Sequence, residues 1–223
     1  MIARDALQQL LDERHSCRGF RPEQVPQADV DCIFTMANRA PSWCNAQPWQ
    51  VAYTRGEATE AFRETLYRHA RENDPDPDIP GPIRYSGAHD ERRRAAGYAL
   101  YASLGIERTD RRRRDDQAME NFRFFGAPHV AVVSVSKELG PYGVMDCGGF
   151  VTALVLAAQS LGVATVVQGA IAQHSPLVRS FLDIPEDQSV VCGIAFGYAD
   201  RSHPANNFRT DRAPLPEVLR TIA

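Results

Sequence analysis

Ala40-Pro41-Ser42-Trp43-Cys44-Asn45-Ala46-Gln47-Pro48-Trp49, running on into Gln50-Val51-Ala52-Tyr53-Thr54, is the stretch on which the reading of this chain turns. Two prolines bracket a short polar loop, and the aromatic and β-branched run Trp49 to Thr54, closed by Arg55-Gly56, predicts a strand. Asn45 and Gln47 are two residues apart and share a side of the loop. Their amides offer donor and acceptor together, which suits the edge of a planar heterocycle. The plainer alternative is a capped turn whose amides satisfy loop backbone.

Upstream, Ile2, Ala6, Leu7, Leu10 and Leu11 recur at helical spacing, and the period is lost between Ser16 and Pro26. Arg14-His15-Ser16-Cys17-Arg18 therefore lies in an extended segment, where every second side chain faces the same way. Two guanidinium groups and a hydroxyl so arranged suit phosphate oxygens, because arginine presents planar paired donors and serine adds a neutral one. The competing reading is a set of solvated residues after a helix. A second helix opens at Val25-Pro26-Gln27, with Val30, Ile33, Phe34 and Ala37 on one face and Pro26 in its first turn, and stops before Pro41.

Downstream, a helix runs from Glu57 to about Arg71. Pro75, Pro77, Pro80 and Pro82 then exclude a regular element over residues 73–87, leaving a surface loop expected to lie over the active site. Residues 88–125 are helical in composition and broken near Gly105. Their run Arg111-Arg112-Arg113-Arg114 is offset by Asp110, Asp115 and Asp116 and reads as a solvated face. After Gly126-Ala127-Pro128, strands are expected at residues 129–136, 163–168 and 189–197. A long apolar helix spans 143–161, where Gly148-Gly149 permits close backbone approach, and a short helix spans 176–182. From Tyr198 the chain reads as an arm. No repeat or linker divides it, so a single domain over residues 1–223 is expected, with 73–125 as a variable loop and helical lid.

With 223 residues, 43% of them hydrophobic, the chain can fill one core. A net charge of -3 and a pI near 6.1 provide no global attraction to polyanions, so nucleic acid is not an expected partner and a small molecule is. Lys137 is the only lysine, and no function follows from that. Five cysteines, odd in number and without CxxC spacing, point to a reduced, cytoplasmic setting and away from a zinc site. Residues 1–13 lack the apolar block of a signal peptide. The longest apolar stretch, 150–169, is interrupted by Thr152, Gln159, Ser160 and Gly162. It reads as a buried helix running into a strand rather than a bilayer span.

Taken together, Arg14-His15-Ser16-x-Arg18 and, one helix later, Ala40-Pro41-Ser42-x-x-Asn45-x-Gln47-Pro48-Trp49 resemble the paired N-terminal signature of the FMN-dependent nitroreductase family. The likeness continues through Gly126-Ala127-Pro128, Gly148 to Val163 and Asn207-x-Arg209-Thr210-x-Arg212, and is weakest over 73–125. It implies an α+β fold with a central, mostly antiparallel sheet flanked by helices. It also implies an intertwined homodimer with a C-terminal arm and two FMN sites between the subunits. By the same resemblance Arg14, Ser16 and Arg18 bind phosphate and ribityl oxygens, with His15 counted among the cofactor contacts, and Arg209 and Arg212 complete the phosphate cage. Pro41, Ser42, Asn45 and Gln47 meet the flavin from the partner chain, and the Gln168-Gly169 backbone approaches flavin N5. Trp43 and Phe124 are candidates to line the substrate pocket. A tryptophan buried at the dimer interface is the commoner outcome for Trp43, and core for the cluster around Phe124. Cys17 and Trp43-Cys44 depart from the usual pattern, and Cys44 is expected to be a small buried hydrophobe.

The implied activity is a ping-pong cycle in which NADPH or NADH delivers hydride to FMN, leaves, and is replaced by a nitroaromatic or quinone-like acceptor. No catalytic side chain is demanded, because the cofactor carries the redox chemistry. The absence of G-x-G-x-x-G after a strand fits a transient nicotinamide site. The absence of H-E-x-x-H and G-x-S-x-G removes zinc-peptidase and serine-hydrolase readings. Enone reduction, dehalogenation or flavin breakdown on the same fold, and a non-catalytic flavin-binding protein, remain alternatives.

Overall fold

The computed structural model describes residues 2–222. Its order is α1 (Ala3–Glu13), α2 (Gln27–Ala37), β1 (Trp49–Arg55), α3 (Glu57–Glu72), α4 (Ala88–Ser103), α5 (Arg111–Met119), β2 (His129–Ser136), α6 (Gly140–Ser160), β3 (Ala164–Gln168), α7 (Ser175–Leu182), β4 (Gln188–Gly197) and α8 (Leu215–Val218). The four strands form one sheet in the order β1-β2-β4-β3, and every neighbouring pair is antiparallel. Val51 faces Val133, Val132 faces Gly193 and Val166 faces Ala195, with a register irregularity between Val133 and Ser134. This is the α+β architecture expected.

The sheet is the middle of three layers. In β2, Ala131, Val133 and Val135 face one way and meet Val30 and Ile33 of α2 and Phe150 and Leu154 of α6. Val130 and Val132 face the other way and meet Phe62 and Leu66 of α3, Phe124, and Val178 of α7. Period-two alternation places successive residues on opposite faces, and since both faces are covered, the strand is buried from His129 to Val135. α6 begins with Pro141 in its first turn and buries Cys147, Phe150, Leu154 and Ala158. Residues 137–160 are long and apolar enough to cross a membrane, yet the helix packs against the sheet as a core element.

Several details differ from expectation. Gly148 and Gly149 lie on the exposed side of α6, and no close backbone approach occurs there within the chain. The tight contact is at Gly143, where a Cβ would come 2.8 Å from Val135 Cγ2 and 2.9 Å from Leu139 Cβ. The proline-rich loop is anchored through one residue in particular. Its Asp78 carboxylate pairs with the buried Arg179 of α7 and accepts the Val190 N–H at 2.9 Å, which anchors it at the far end of β4. The helical stretch 88–125, by contrast, divides as expected, at a turn containing Gly105 (φ +61°), giving α4 and α5.

Candidate functional site

Cys17 N–H donates to the Thr165 carbonyl at 2.9 Å, so the segment after α1 runs beside β3 as a short parallel bridge. That extended path turns Arg14, Ser16 and Arg18 toward one cavity of about 260 Å³. His15 joins them, the tail contributes Phe208, Arg209, Thr210 and Arg212, and the wall is completed by Leu11, Asp12 and Ala96. The two ends of the chain thus meet around a single space, as the resemblance implied.

The cavity is predominantly positive, with four arginines against the one carboxylate of Asp12. Among the described residues, none of Arg14, Arg18, Arg209 or Arg212 pairs with a carboxylate. Arg209 Nη1 donates to the carbonyls of Asn206 (2.9 Å) and Phe208 (2.8 Å). Arg212 Nη1 donates to the Thr210 carbonyl at 3.0 Å and hydroxyl at 2.9 Å, and to the Asp211 carbonyl at 3.0 Å. Burial, followed by the charge of Arg212, holds the Arg14 guanidinium below its ordinary pKa; burial does the same for Arg18. Unpaired cations gathered in a partly dry pocket repel one another, and an anion entering it relieves that repulsion.

His15 sharpens the point. Its Nδ1 lies 3.0 Å from the Glu13 carbonyl, to which it must donate, while its Nε2 is buried without a partner. Its pKa is lowered by burial first; the bond to Glu13 opposes the shift, and the charges of Arg209, Arg14 and Arg18 add to it. A neutral imidazole therefore leaves a buried, unsatisfied acceptor nitrogen beside the cavity. A phosphate carried on a polyhydroxyl chain fits this donor and acceptor set.

Three buried contacts hold the segment in place, and sequence reasoning missed them. Asn206 Oδ1 accepts the Arg18 N–H at 2.7 Å, and Asn206 Nδ2 donates to the carbonyls of Gly19 and Asp200, both at 2.8 Å. Gly19 must lack a side chain, since a Cβ there would collide with the His203 ring. Further along, His129 Nε2 accepts the Val25 N–H at 2.9 Å while its Nδ1 meets Tyr53 Oη at 2.9 Å, and burial lowers its pKa to about 4. The only sequence signal for Asn206 was its place beside the Asn207-x-Arg209 motif.

The Pro41–Gln47 loop is built differently. A 3₁₀ turn spans Trp43–Asn45, and Cys44 (φ 50°), Asn45 (φ 57°) and Gln47 (φ 47°) all occupy the left-handed region. Three such residues in one loop store strain, and strain of this kind gathers at functional sites. The turn also overturns the alternating geometry expected for Asn45 and Gln47. Trp43 N–H donates to the buried Asp146 carboxylate of α6 at 3.1 and 3.2 Å, and Gln47 N–H donates to Ser42 Oγ at 2.9 Å. The side chains of Asn45 and Gln47 are exposed, and Cys44, expected buried, is exposed as well because its backbone turns it outward. None of Pro41, Ser42, Trp43, Asn45 or Gln47 lines the arginine cavity of this chain. Trp43 is 61% exposed and lies 5.0 Å from the ring of Tyr142.

Gln168 ends β3 and Gly169 follows it, so about 10 Å of extended chain separates Gln168 from the Thr165 bridge. Gln168 Nε2 donates to the Asn121 carbonyl at 2.7 Å, and its buried Oε1 has no partner. Phe124 is a correction. It is fully buried and packs 5.2 Å from Phe62, because its left-handed backbone (φ 58°) turns the ring into the core, the commoner outcome expected for that cluster.

Residues 11–198 match the model of the nitroreductase family. The chain belongs to that family. A nitroreductase relative from Mycolicibacterium smegmatis, named Nitroreductase NfnB, is 34% identical over 96% of this chain and 92% of its own. The 4-nitrobenzoate reductase of Pseudomonas putida is 31% identical over 93% and 92%. Among solved nitroreductase structures, the FMN-dependent NfnB from Mycobacterium smegmatis in complex with NADPH superposes with a TM-score of 0.95 at 33% identity, covering both chains completely. The FMN- and NADPH-dependent NfnB from a Sphigopyxis strain superposes with a TM-score of 0.92 at 34% identity, over 97% and 98%.

Proposed function

We propose that this nitroreductase is an FMN-dependent oxidoreductase that uses NADPH or NADH to reduce nitroaromatic or quinone-like acceptors. The observation that carries the proposal is the cavity where arginines from both chain ends stand without carboxylate partners beside a free imidazole nitrogen. Arg14, Arg18, Arg209 and Arg212 would hold the phosphate dianion, Ser16 would add a neutral donor, and His15 Nε2 would accept from a ribityl hydroxyl. β3 then leads from the phosphate end toward the Gln168-Gly169 backbone, which would meet the ring near N5. When bound, FMN supplies the two-electron chemistry by which nicotinamide and acceptor react in turn at one pocket.

The protein's own residues bind, orient and tune. Cationic and backbone donors around the flavin favour its reduced, anionic form. Pro41, Ser42, Asn45 and Gln47 would reach the ring of a neighbouring subunit, in keeping with their exposure and with their distance from their own chain's cavity. A homodimer is further supported by apolar side chains left open on α6 (Tyr142, Met145), on Trp43 and along the arm (Leu215, Val218, Leu219, Ile222). Trp43 would then line the pocket or the subunit contact. Five free thiols fit a cytoplasmic setting.

The protein purified with its cofactor is expected to be yellow. Anaerobic NADPH or NADH should bleach the flavin, and nitrobenzoate should restore the colour. A colourless protein that takes up no FMN would refute the cofactor assignment. Bleaching without reoxidation by any nitro compound or quinone would leave a flavoprotein of different activity.

A further inference from the structure

Asn206 does not line the arginine cavity, yet both halves of the cavity are bonded to it. Its Oδ1 accepts the Arg18 backbone N–H, 188 residues away in sequence, its Nδ2 donates to Gly19 and Asp200 carbonyls, and its own carbonyl accepts Arg209 Nη1. The side chain is 6% exposed, and both its donor protons are used. A few further bonds join the two segments: Arg21 N–H to the Tyr198 carbonyl and Asp200 N–H to the Gly19 carbonyl, each 2.9 Å, beside a bridge between Phe20 and Ala199. Those bonds stop at residue 200. The chain then turns through Ser202 and the 3₁₀ turn Pro204–Asn206 before it launches the arm that carries Arg209 and Arg212. Asn206 is where that turn is tied back to the first arginine segment.

We propose that Asn206 is a positioning residue that sets the register between the Arg14–Arg18 segment and the C-terminal arm, so that arginines from both ends act on one phosphate. Only an amide satisfies the site, since a donor must face two carbonyls and an acceptor must face an N–H. Aspartate keeps the acceptor and turns a carboxylate toward two carbonyl oxygens; alanine abandons three buried backbone groups. Either change frees the start of the arm, and Arg209 and Arg212 then lose their fixed place.

The inference rests on the FMN reading, and its test separates the two. Apoprotein of the wild type, Asn206→Ala, Asn206→Asp and a distant core control, Leu66→Ala, is titrated with FMN and with riboflavin, following quenching of flavin fluorescence, and each apoprotein is melted. Riboflavin lacks the phosphate, so the ratio of the two affinities reports the cage alone, whereas general loosening weakens both ligands together. The expected result is a fall of at least tenfold in the FMN-to-riboflavin ratio for both Asn206 variants, with activity recovering toward wild type at saturating FMN. Leu66→Ala should lower the melting temperature and leave the ratio within twofold. If Asn206→Ala does not fold, Asn206→Asp carries the same reading. A ratio within twofold of wild type in the folded Asn206 variants, or an equal fall in Leu66→Ala, overturns the positioning role. A wild type that binds riboflavin as tightly as FMN overturns the cofactor reading itself, and the inference with it.

Discussion

Under the proposed function, the cavity at Arg14–Arg18 and the loop at Pro41–Gln47 would be two halves of a binding surface, and within one chain they are finished to different degrees. The cavity is closed by the chain's own termini: its arginine segment is bonded to β3 and to the tail, and its cations already stand together. The loop is strained, exposed at its amide side chains and held chiefly by Asp146 on α6. A self-sufficient electrostatic half and an open hydrogen-bonding half are what results when a phosphate is gripped by one subunit and a ring is read by its neighbour.

The largest expected effect comes from breaking the closed half. Charge-assisted hydrogen bonds are worth roughly 1.5–3 kcal/mol each, so Arg14→Ala with Arg212→Ala should weaken FMN binding by about 3–6 kcal/mol while riboflavin binding barely changes. Equilibrium dialysis against both ligands checks it, and an equal loss of the two would mean that these arginines serve the fold instead.

Acid should loosen the fold through His129, which ties the entry of α2 to the sheet. Its pKa is about 4 in the folded protein against an ordinary 6.5, so between these values the unfolded chain binds the extra proton. The stabilisation is therefore complete above pH 6.5 and is lost as the pH falls toward 4. At about 1.4 kcal/mol per pH unit the loss is at most about 3 kcal/mol. Urea midpoints at pH 7 and pH 5 should differ in that direction for the wild type and much less for His129→Gln.

The open half should respond more mildly. Asp146→Ala leaves the Trp43 N–H without its acceptor, at a cost of roughly 1–3 kcal/mol, and should speed proteolytic cleavage within residues 41–47. An unchanged cleavage rate would show that the loop holds its own shape. Smallest of all, Asn45→Ala removes neutral hydrogen bonds worth about 0.5–1.5 kcal/mol. It should weaken FMN and riboflavin equally, and a loss confined to FMN would contradict a contact with the ring.

The same contrast marks what could be read from the residues. The Arg14-x-Ser16-x-Arg18 alternation was legible because an extended segment obeys a period of two, and β2 was legible because its centre, Val130 to Val133, is an unbroken run of mostly β-branched apolar residues. The loop resisted, because left-handed backbone at Cys44, Asn45 and Gln47 breaks that period without a glycine to announce it. Phe124 misled for the same reason: an aromatic cluster does not reveal which ring a positive φ turns inward. Asn206 stayed hidden because a buried amide in a polar tail looks like its solvated neighbours. Arg209 and Arg212 were placed with Arg14 only by family resemblance, since no local pattern links residues two hundred positions apart.

The most direct test of the shared phosphate grip is a crystal structure of the FMN-loaded protein. Phosphate oxygens should lie about 2.7–2.9 Å from guanidinium nitrogens of Arg14, Arg18 and Arg212, with Arg212 turned away from the Thr210 carbonyl it now engages. A phosphate bound elsewhere, with those arginines still bonded to their own backbone, would contradict it.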